Sequence, residues 1–184
     1  MNSLNPFESH SGHVRVIIET PKGHRAKYSF KENEQLFQLK LMLPAGMVFP
    51  FDFGFIPGTK ADDGDPLDIL VLVDESATQG CLVVTRLLAV IEAEQTGNGK
   101  TNRNDRLIGI AVVSRQYKSI ESLDQLSPDL VQEIEHFFVS YNELMGKTFR
   151  PIGRAGADRA RELIEAATAR KRPTGCPPGH PGGR

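Results

Sequence analysis

Hydrophobic positions along the chain change their period once. Up to about residue 113 they come in short, partly alternating runs bounded by Gly, Pro and acidic residues, the spacing of strands. Val14-Arg-Val-Ile-Ile-Glu-Thr20 opens the series, and Pro21-Lys-Gly23 supplies a turn. Residues 26–30 and 36–43 continue it. After Pro57-Gly58 comes an acidic loop, then Ile69-Leu-Val-Leu-Val73, an unbroken apolar run that reads as a strand buried on both faces. Residues 82–91 and 107–113 are two further strands, separated by the polar stretch 95–106 with Gly97 and Gly99. Six or seven short strands with Gly/Pro turns predict a small barrel.

From residue 127 the period becomes 3.6. Ser127 is an N-cap candidate with Pro128 at the first helical position. Leu130, Val131, Ile134, Phe137, Phe138, Tyr141, Leu144 and Met145 then form one apolar stripe, ended by Gly146. A second helix is predicted from 156 to about 170. His136 lies beside the stripe and reads as a core-edge or surface histidine rather than a ligand. The expected class is α+β, mainly β: a barrel with helices packed on its outside, one domain over residues 14–172, preceded by an N-terminal arm at 1–13.

Composition narrows the function classes. Of 184 residues, 39% are hydrophobic, and 22 basic side chains nearly cancel 23 acidic ones. That balance argues against a phosphate-neutralising nucleic-acid binder and against a wholly disordered chain. Residues 169–184 carry four basic residues and no acid, so the body before them holds 18 basic against 23 acidic side chains, a charge of −5. The Pro/Gly-rich tail 173–184 is expected to be disordered, and its Cys176 and His180 read as a solvated end rather than a metal pair. Two cysteines, Cys81 and Cys176, are too few for a disulfide framework or a cysteine-based zinc site. With no secretory signal and no apolar run near the ~20 residues of a membrane span, a cytoplasmic protein without a membrane partner is expected.

Candidate chemistry concentrates in the acidic loop. Seven of the 23 acids fall between Asp52 and Glu75, with only Lys60 to offset them. The sharpest feature is Ala61-Asp-Asp-Gly-Asp-Pro-Leu-Asp68, running straight into the apolar strand. In extended chain Asp63 and Asp65 point the same way. Gly64 permits close approach of a ligand, and Pro66 fixes a bend that brings Asp68 toward the pair. Carboxylates held so close repel one another, and a hard divalent cation removes that cost; oxygen ligands without sulfur or imidazole favour Mg²⁺ or Mn²⁺. By the same logic, removing Asp68 is expected to leave the metal-free fold intact or slightly more stable. A calcium-binding EF-hand fails here, because the sixth residue from Asp63 is Asp68 rather than Gly and a strand follows. A dehalogenase-type Asp-x-Asp would follow its strand rather than precede it. A merely solvated loop would scatter its acids instead of wedging Gly and Pro between them.

Asp63-Gly-Asp-Pro-Leu-Asp68 resembles the Asp-x-Asp-Pro-hydrophobic-Asp signature of the soluble type I inorganic pyrophosphatases. Ile18-Glu-Thr-Pro21, Lys27-Tyr28, Phe49-Pro-Phe-Asp-Phe-Gly-Phe-Ile56, His136-Phe-Phe and Tyr141 fall in that family's order and approximate spacing, so the similarity runs from about residue 14 to 169. The resemblance implies a five-stranded oligonucleotide/oligosaccharide-binding (OB) type β-barrel and Mg²⁺-dependent hydrolysis of pyrophosphate to two phosphates. It implies metal ligation by Asp63, Asp68 and an acid near Arg106, of which Asp105 is the candidate, with Glu19 reaching a further metal. Asp65 would accept the proton of the attacking water. Lys27, Lys40, Arg106, Tyr141 and Lys147 would clamp phosphate oxygens. A homo-oligomer is implied as well.

The chain departs from the family pattern at several of these places. Where a Glu is common two residues after the strand lysine, it has Ser29. A phosphate-binding arginine appears as Lys40, which loses bidentate recognition. Phe53 stands where the family has a tyrosine, and Asn142 follows Tyr141 where it has a lysine. Asp105 sits one residue before Arg106 rather than the usual two, and a slip of one in a strand turns a side chain to the other face. The earlier loop acid is either Glu94 or a slot filled by Gln95. These departures motivate a second hypothesis, a non-hydrolytic or weakly active barrel that binds pyrophosphate or nucleotides.

Overall fold

The structure is a computed structural model that describes residues 4–62 and 64–171. The tail at 173–184 and Asp63 lie outside the described residues. Among the described residues, nine strands and two α-helices follow one another as β1 (Val14–Thr20), β2 (Ala26–Lys31), β3 (Leu36–Met42), β4 (Asp52–Phe55), β5 (Asp68–Leu72), β6 (Leu82–Gly97), β7 (Lys100–Arg103), β8 (Arg106–Ala111), α1 (Pro128–Glu143), β9 (Thr148–Gly156) and α2 (Ala157–Lys171).

Five strands close into a ring: β1 pairs with β4, β4 with β5, β5 with β8, β8 with β6, and β6 returns to β1. Every pairing is antiparallel except β5 with β8. Counted along the chain, the ring strands run 1-2-3-5-4-1, the connectivity of the OB-type barrel. The β2–β3 hairpin inserts between the first and second ring strands as a separate two-stranded sheet. Ring closure requires glycine at Gly54, where a Cβ would stand 2.2 Å from the Ile17 carbonyl oxygen. No other residue permits that approach of two backbones.

The unbroken apolar run behaves as its pattern predicts. Leu70 and Leu72 of β5 pack with Phe53, Ile108 and the α1 residues Val131, Ile134 and Phe138, while Ile69 and Val71 pack with Val16, Leu107 and the α2 residues Ala160 and Ile164. Both faces are therefore covered, each by one helix. The arm at the start is held too: Phe7 bridges to Val14, and the Arg15 guanidinium donates to the Phe7 carbonyl at 2.7 Å.

Two expectations need correction, and two strands are additional to those expected. The polar stretch 95–106 is not a separating loop, because β6 continues to Gly97 and turns through Asn98 (φ 53°) and Gly99 (φ 73°) into β7. Two central residues with positive φ make the tight hairpin turn whose twist suits antiparallel strands. Strand β4 is four residues long and lacks a polar alternation, and β9 carries Pro151 where its pairing with β6 shifts register, the place a sheet tolerates proline. Neither is legible from period alone. Finally, β8 stops at Ala111, and Val112 and Val113 turn outward. Asp74 causes the stop: its carboxylate accepts the Ser114 hydroxyl and the Arg115 and Gln116 N–H groups, folding the chain over.

Helix α1 starts where expected, with Ser127 as N-cap and Pro128 first, although the Ser127 side chain makes no capping bond and only its carbonyl accepts from Val131. Gly146 (φ 67°) follows its end. His136 is exposed, as a surface histidine should be. Among the described residues no helix is long and apolar enough to cross a membrane.

Candidate active site

A cavity of about 360 Å³ opens where the end of β1, the β2–β3 hairpin, the acidic loop, the bases of β6 and β8 and the C-terminal turn of α1 converge. Glu19, the penultimate residue of β1, is buried and spends both oxygens locally. Oε2 accepts from Lys27 Nζ at 2.7 Å, and Oε1 accepts from the Phe30 N–H at 2.7 Å. One carboxylate thereby bolts the hairpin to the barrel and sets the Lys27 ammonium 4.2 Å from the centre of the Phe53 ring. Lys40, on the other hairpin strand, is exposed and lines the same cavity.

The acidic loop is closed at its base by Thr59, whose hydroxyl donates to the Ile56 carbonyl and accepts the Leu67 N–H. Within it the Ala61 N–H donates to the Asp65 carbonyl, and Gly64 takes φ 95°. The last turns of α2 brace it: Lys60 N–H donates to the Ala167 carbonyl, and Arg170 pairs with Asp62 at 2.7 Å. Asp65 and Asp68 both line the cavity.

Parallel pairing of β5 with β8 decides the next contact. Two parallel strands begin at the same end of the sheet, so Asp68 and Arg106, their first residues, stand side by side, 2.7 Å apart from carboxylate to guanidinium. Arg106 is buried between the Phe138 and Phe149 rings at 5.1 and 5.5 Å. Its Nη1 also donates to Asn104 Oδ1, while its Nε is buried without a hydrogen-bond partner among the described residues.

Helix α1 contributes Tyr141 and Asn142. The Tyr141 phenol is pushed up to about 12, by burial first and by the neighbouring Asp68 carboxylate second, which keeps it a neutral hydrogen-bond donor at physiological pH. Asn142 turns its Nδ2 back onto the Phe138 carbonyl at 2.8 Å. Lys147, just beyond the helix, lies against Gly97, where a Cβ would stand 3.1 Å from its stem.

The structure thus brings Glu19, Lys27, Lys40, Asp65, Asp68, Arg106, Tyr141 and Lys147 to one cavity. It does not bring Asp105 there. That carboxylate accepts the Ala93 N–H at 2.9 Å and pairs with Arg103 at 2.9 Å, and it does not line the cavity. Glu94 likewise pairs with Arg150. Their neighbours Gln95 and Asn104 face the cavity instead, joined by a 2.7 Å bond from Asn104 Nδ2 to Gln95 Oε1. Period-two reasoning from Arg106 would have found Asn104, since residues i and i−2 share a face.

The Asp65 and Asp68 carboxylates and the amide oxygens of Gln95 and Asn104, all on the cavity wall, are hard oxygen donors. Their chemistry fits a hard divalent cation rather than a soft one. No three acids, histidines or cysteines gather into a coordination set among the described residues, and the remaining acid of the motif, Asp63, lies outside them.

Comparison with known proteins gives these contacts a context. The sequence model of the family described as inorganic pyrophosphatase matches residues 16–172. An inorganic pyrophosphatase of Methanosarcina acetivorans is 36% identical over 155 residues, covering 84% of this chain and 90% of that protein. One from a Nostoc species is 31% identical over 160 residues, covering 87% and 92%. The crystal structure of the Thermus thermophilus inorganic pyrophosphatase superposes with a TM-score of 0.83 at 30% identity, over 92% of this chain and 97% of that one. That of Neisseria gonorrhoeae gives 0.82 at 26%, over 92% and 96%. With the ring topology and this breadth of match, the chain belongs to the type I inorganic pyrophosphatase family.

Proposed function

We propose that this protein hydrolyses inorganic pyrophosphate to two phosphates, with Mg²⁺ as the cation and Mn²⁺ as an alternative. The observation that carries the reading is the meeting of Lys27, Lys40, Arg106, Tyr141 and Lys147 with Asp65 and Asp68 around one cavity. The cationic groups and the phenol donate to the terminal oxygens of the anion and fix it against the acidic loop. Asp65 takes the proton as a water oxygen attacks one phosphorus; the bridging P–O bond breaks, and its electron pair leaves with the second phosphate. Asp68, with the motif acid Asp63, would hold the cation. When bound, that ion supplies charge neutralisation and acidifies water. Glu19, already committed to Lys27 and Phe30, serves first to hold Lys27 upright rather than as a metal ligand. Asp105 has no part in this reading.

A malachite-green assay with pyrophosphate and MgCl₂ tests it. Phosphate should appear in the wild type, and none above an Asp65→Asn control would refute hydrolysis. The same reading places the protein in the cytoplasm as a homo-oligomer, and the exposed apolar Leu36, Leu39 and Met42 of β3 support self-association. Light scattering on the purified chain tests the oligomer. A second reading, a pocket that binds without turnover, is favoured by Asn142, whose amide is spent on its own helix, and by Phe53, which offers no hydroxyl. Mg²⁺-dependent binding without phosphate release would select it.

A further inference from the structure

Among the described residues, five cationic side chains line the cavity: Lys27, Lys31, Lys40, Arg106 and Lys147. Four carboxylates, Glu19, Glu32, Asp65 and Asp68, face them. Counting Asp63 as well, whichever way it faces, brings the balance to neutral and no further. On the β6–β8 side the acids Glu94 and Asp105 are committed outside the cavity to Arg150 and Arg103. The groups that face inward are the neutral pair Gln95 and Asn104. With Asn104 Oδ1 accepting from Arg106 and Gln95 Oε1 accepting from Asn104, the Gln95 amide nitrogen is left as a donor on that wall. Lys40 and Lys147 make no ion pair among the described residues.

We propose that the pocket binds inorganic pyrophosphate even in the absence of a divalent cation. This rests on the reading of the cavity as a pyrophosphate site. The physical reason is that a small polyanion is repelled from an acidic pocket until cations neutralise the pocket, whereas a balanced pocket with an amide donor and two lysines that make no ion pair among the described residues attracts it. Lys40 and Lys147 supply the charge, and the Gln95–Asn104 pair supplies a surface that does not oppose it.

Isothermal titration calorimetry of the full chain with sodium pyrophosphate tests this, in buffer stripped of divalent cations on a chelating resin. The wild type should show saturable binding with a Kd below about 1 mM. The Lys40→Gln/Lys147→Gln double variant, whose changes are at exposed positions, should bind roughly ten- to a hundredfold more weakly. Gln95→Glu/Asn104→Asp, nearly isosteric, should lose metal-free binding to a similar degree and should take up more Mn²⁺ per chain, counted by electron paramagnetic resonance. No saturable binding by the wild type, or binding unchanged in both double variants, overturns the proposal. Phosphate release with Mg²⁺ but no metal-free binding defeats this inference alone. Metal-free binding in a protein that releases no phosphate defeats the hydrolytic reading and leaves this one standing.

Discussion

The Lys27 ammonium stands 4.2 Å above the centre of the Phe53 ring, held there by Glu19. Phe53 is itself buried and lines the cavity, so its ring is both a floor for the site and an electrostatic seat for the lysine. A hydroxyl on that ring would keep the seat and add one donor at the floor. Phe53→Tyr is expected to raise kcat about tenfold, the worth of one neutral hydrogen bond made mainly in the transition state. Steady-state phosphate release checks it, with melting temperature as the control. An unchanged or lower rate in a folded variant would show that the water site is built without this position.

Asp68 has a different balance from the one its acidic neighbours suggest. Like-charge repulsion predicts a more stable metal-free protein without it, yet its carboxylate lies 2.7 Å from a buried guanidinium. Removing the acid strands the Arg106 charge between two aromatic rings. Asp68→Ala should therefore melt below the wild type in the absence of metal, by roughly 1–3 kcal/mol given that Asp68 is partly exposed. Asp68→Asn should recover part of that loss, because the amide oxygen still accepts from Arg106. Differential scanning calorimetry of the metal-free proteins decides between repulsion and pairing.

Asp74 makes a prediction about acid. The Ser114 hydroxyl bond, and after it the Arg115 N–H, hold its carboxyl below the ordinary aspartate value. A group with a lowered folded pKa binds protons more readily in the unfolded chain. Its stabilisation is thus present above the unfolded value of about 3.9 and is lost as pH falls through the folded one. The gap in melting temperature between wild type and Asp74→Asn should be constant near neutrality and narrow below about pH 4. A gap that widens on acidification would mean that the Ser114 turn is held by something else.

Two glycines should separate steric from conformational cost. Gly54→Ala drives a methyl group into the Ile17 carbonyl at the ring closure, where backbone cannot yield cheaply. A loss of about 3 kcal/mol or an insoluble protein is expected. Gly64, with φ 95° and open space around it, should cost only about 1 kcal/mol as alanine. Thermal denaturation of the two variants side by side measures the contrast; equal losses would contradict the close approach at Gly54.

Local pattern alone determined a good part of this protein. The unbroken run 69–73 reads as a strand covered on both faces, the stripe ending at Gly146 as a helix, and the Gly and Pro wedged among acids as a built loop, because burial and turn chemistry act over a few residues. Which of the loop residues faces the site could be read only relative to Arg106, whose own place the pattern does not give. Asp105 and Asn104 are neighbours, and a period of two says only that they point opposite ways. Parity is fixed by Arg106, whose place beside Asp68 exists only because β8 runs parallel to β5 across 33 residues of intervening chain. The same holds for β4 and β9, whose short or proline-broken segments become strands through partners supplied by β1, β5 and β6. Ladder hydrogen bonds between distant segments carry no mark in either segment until the ring closes, and the charge of the cavity wall is settled by that closure.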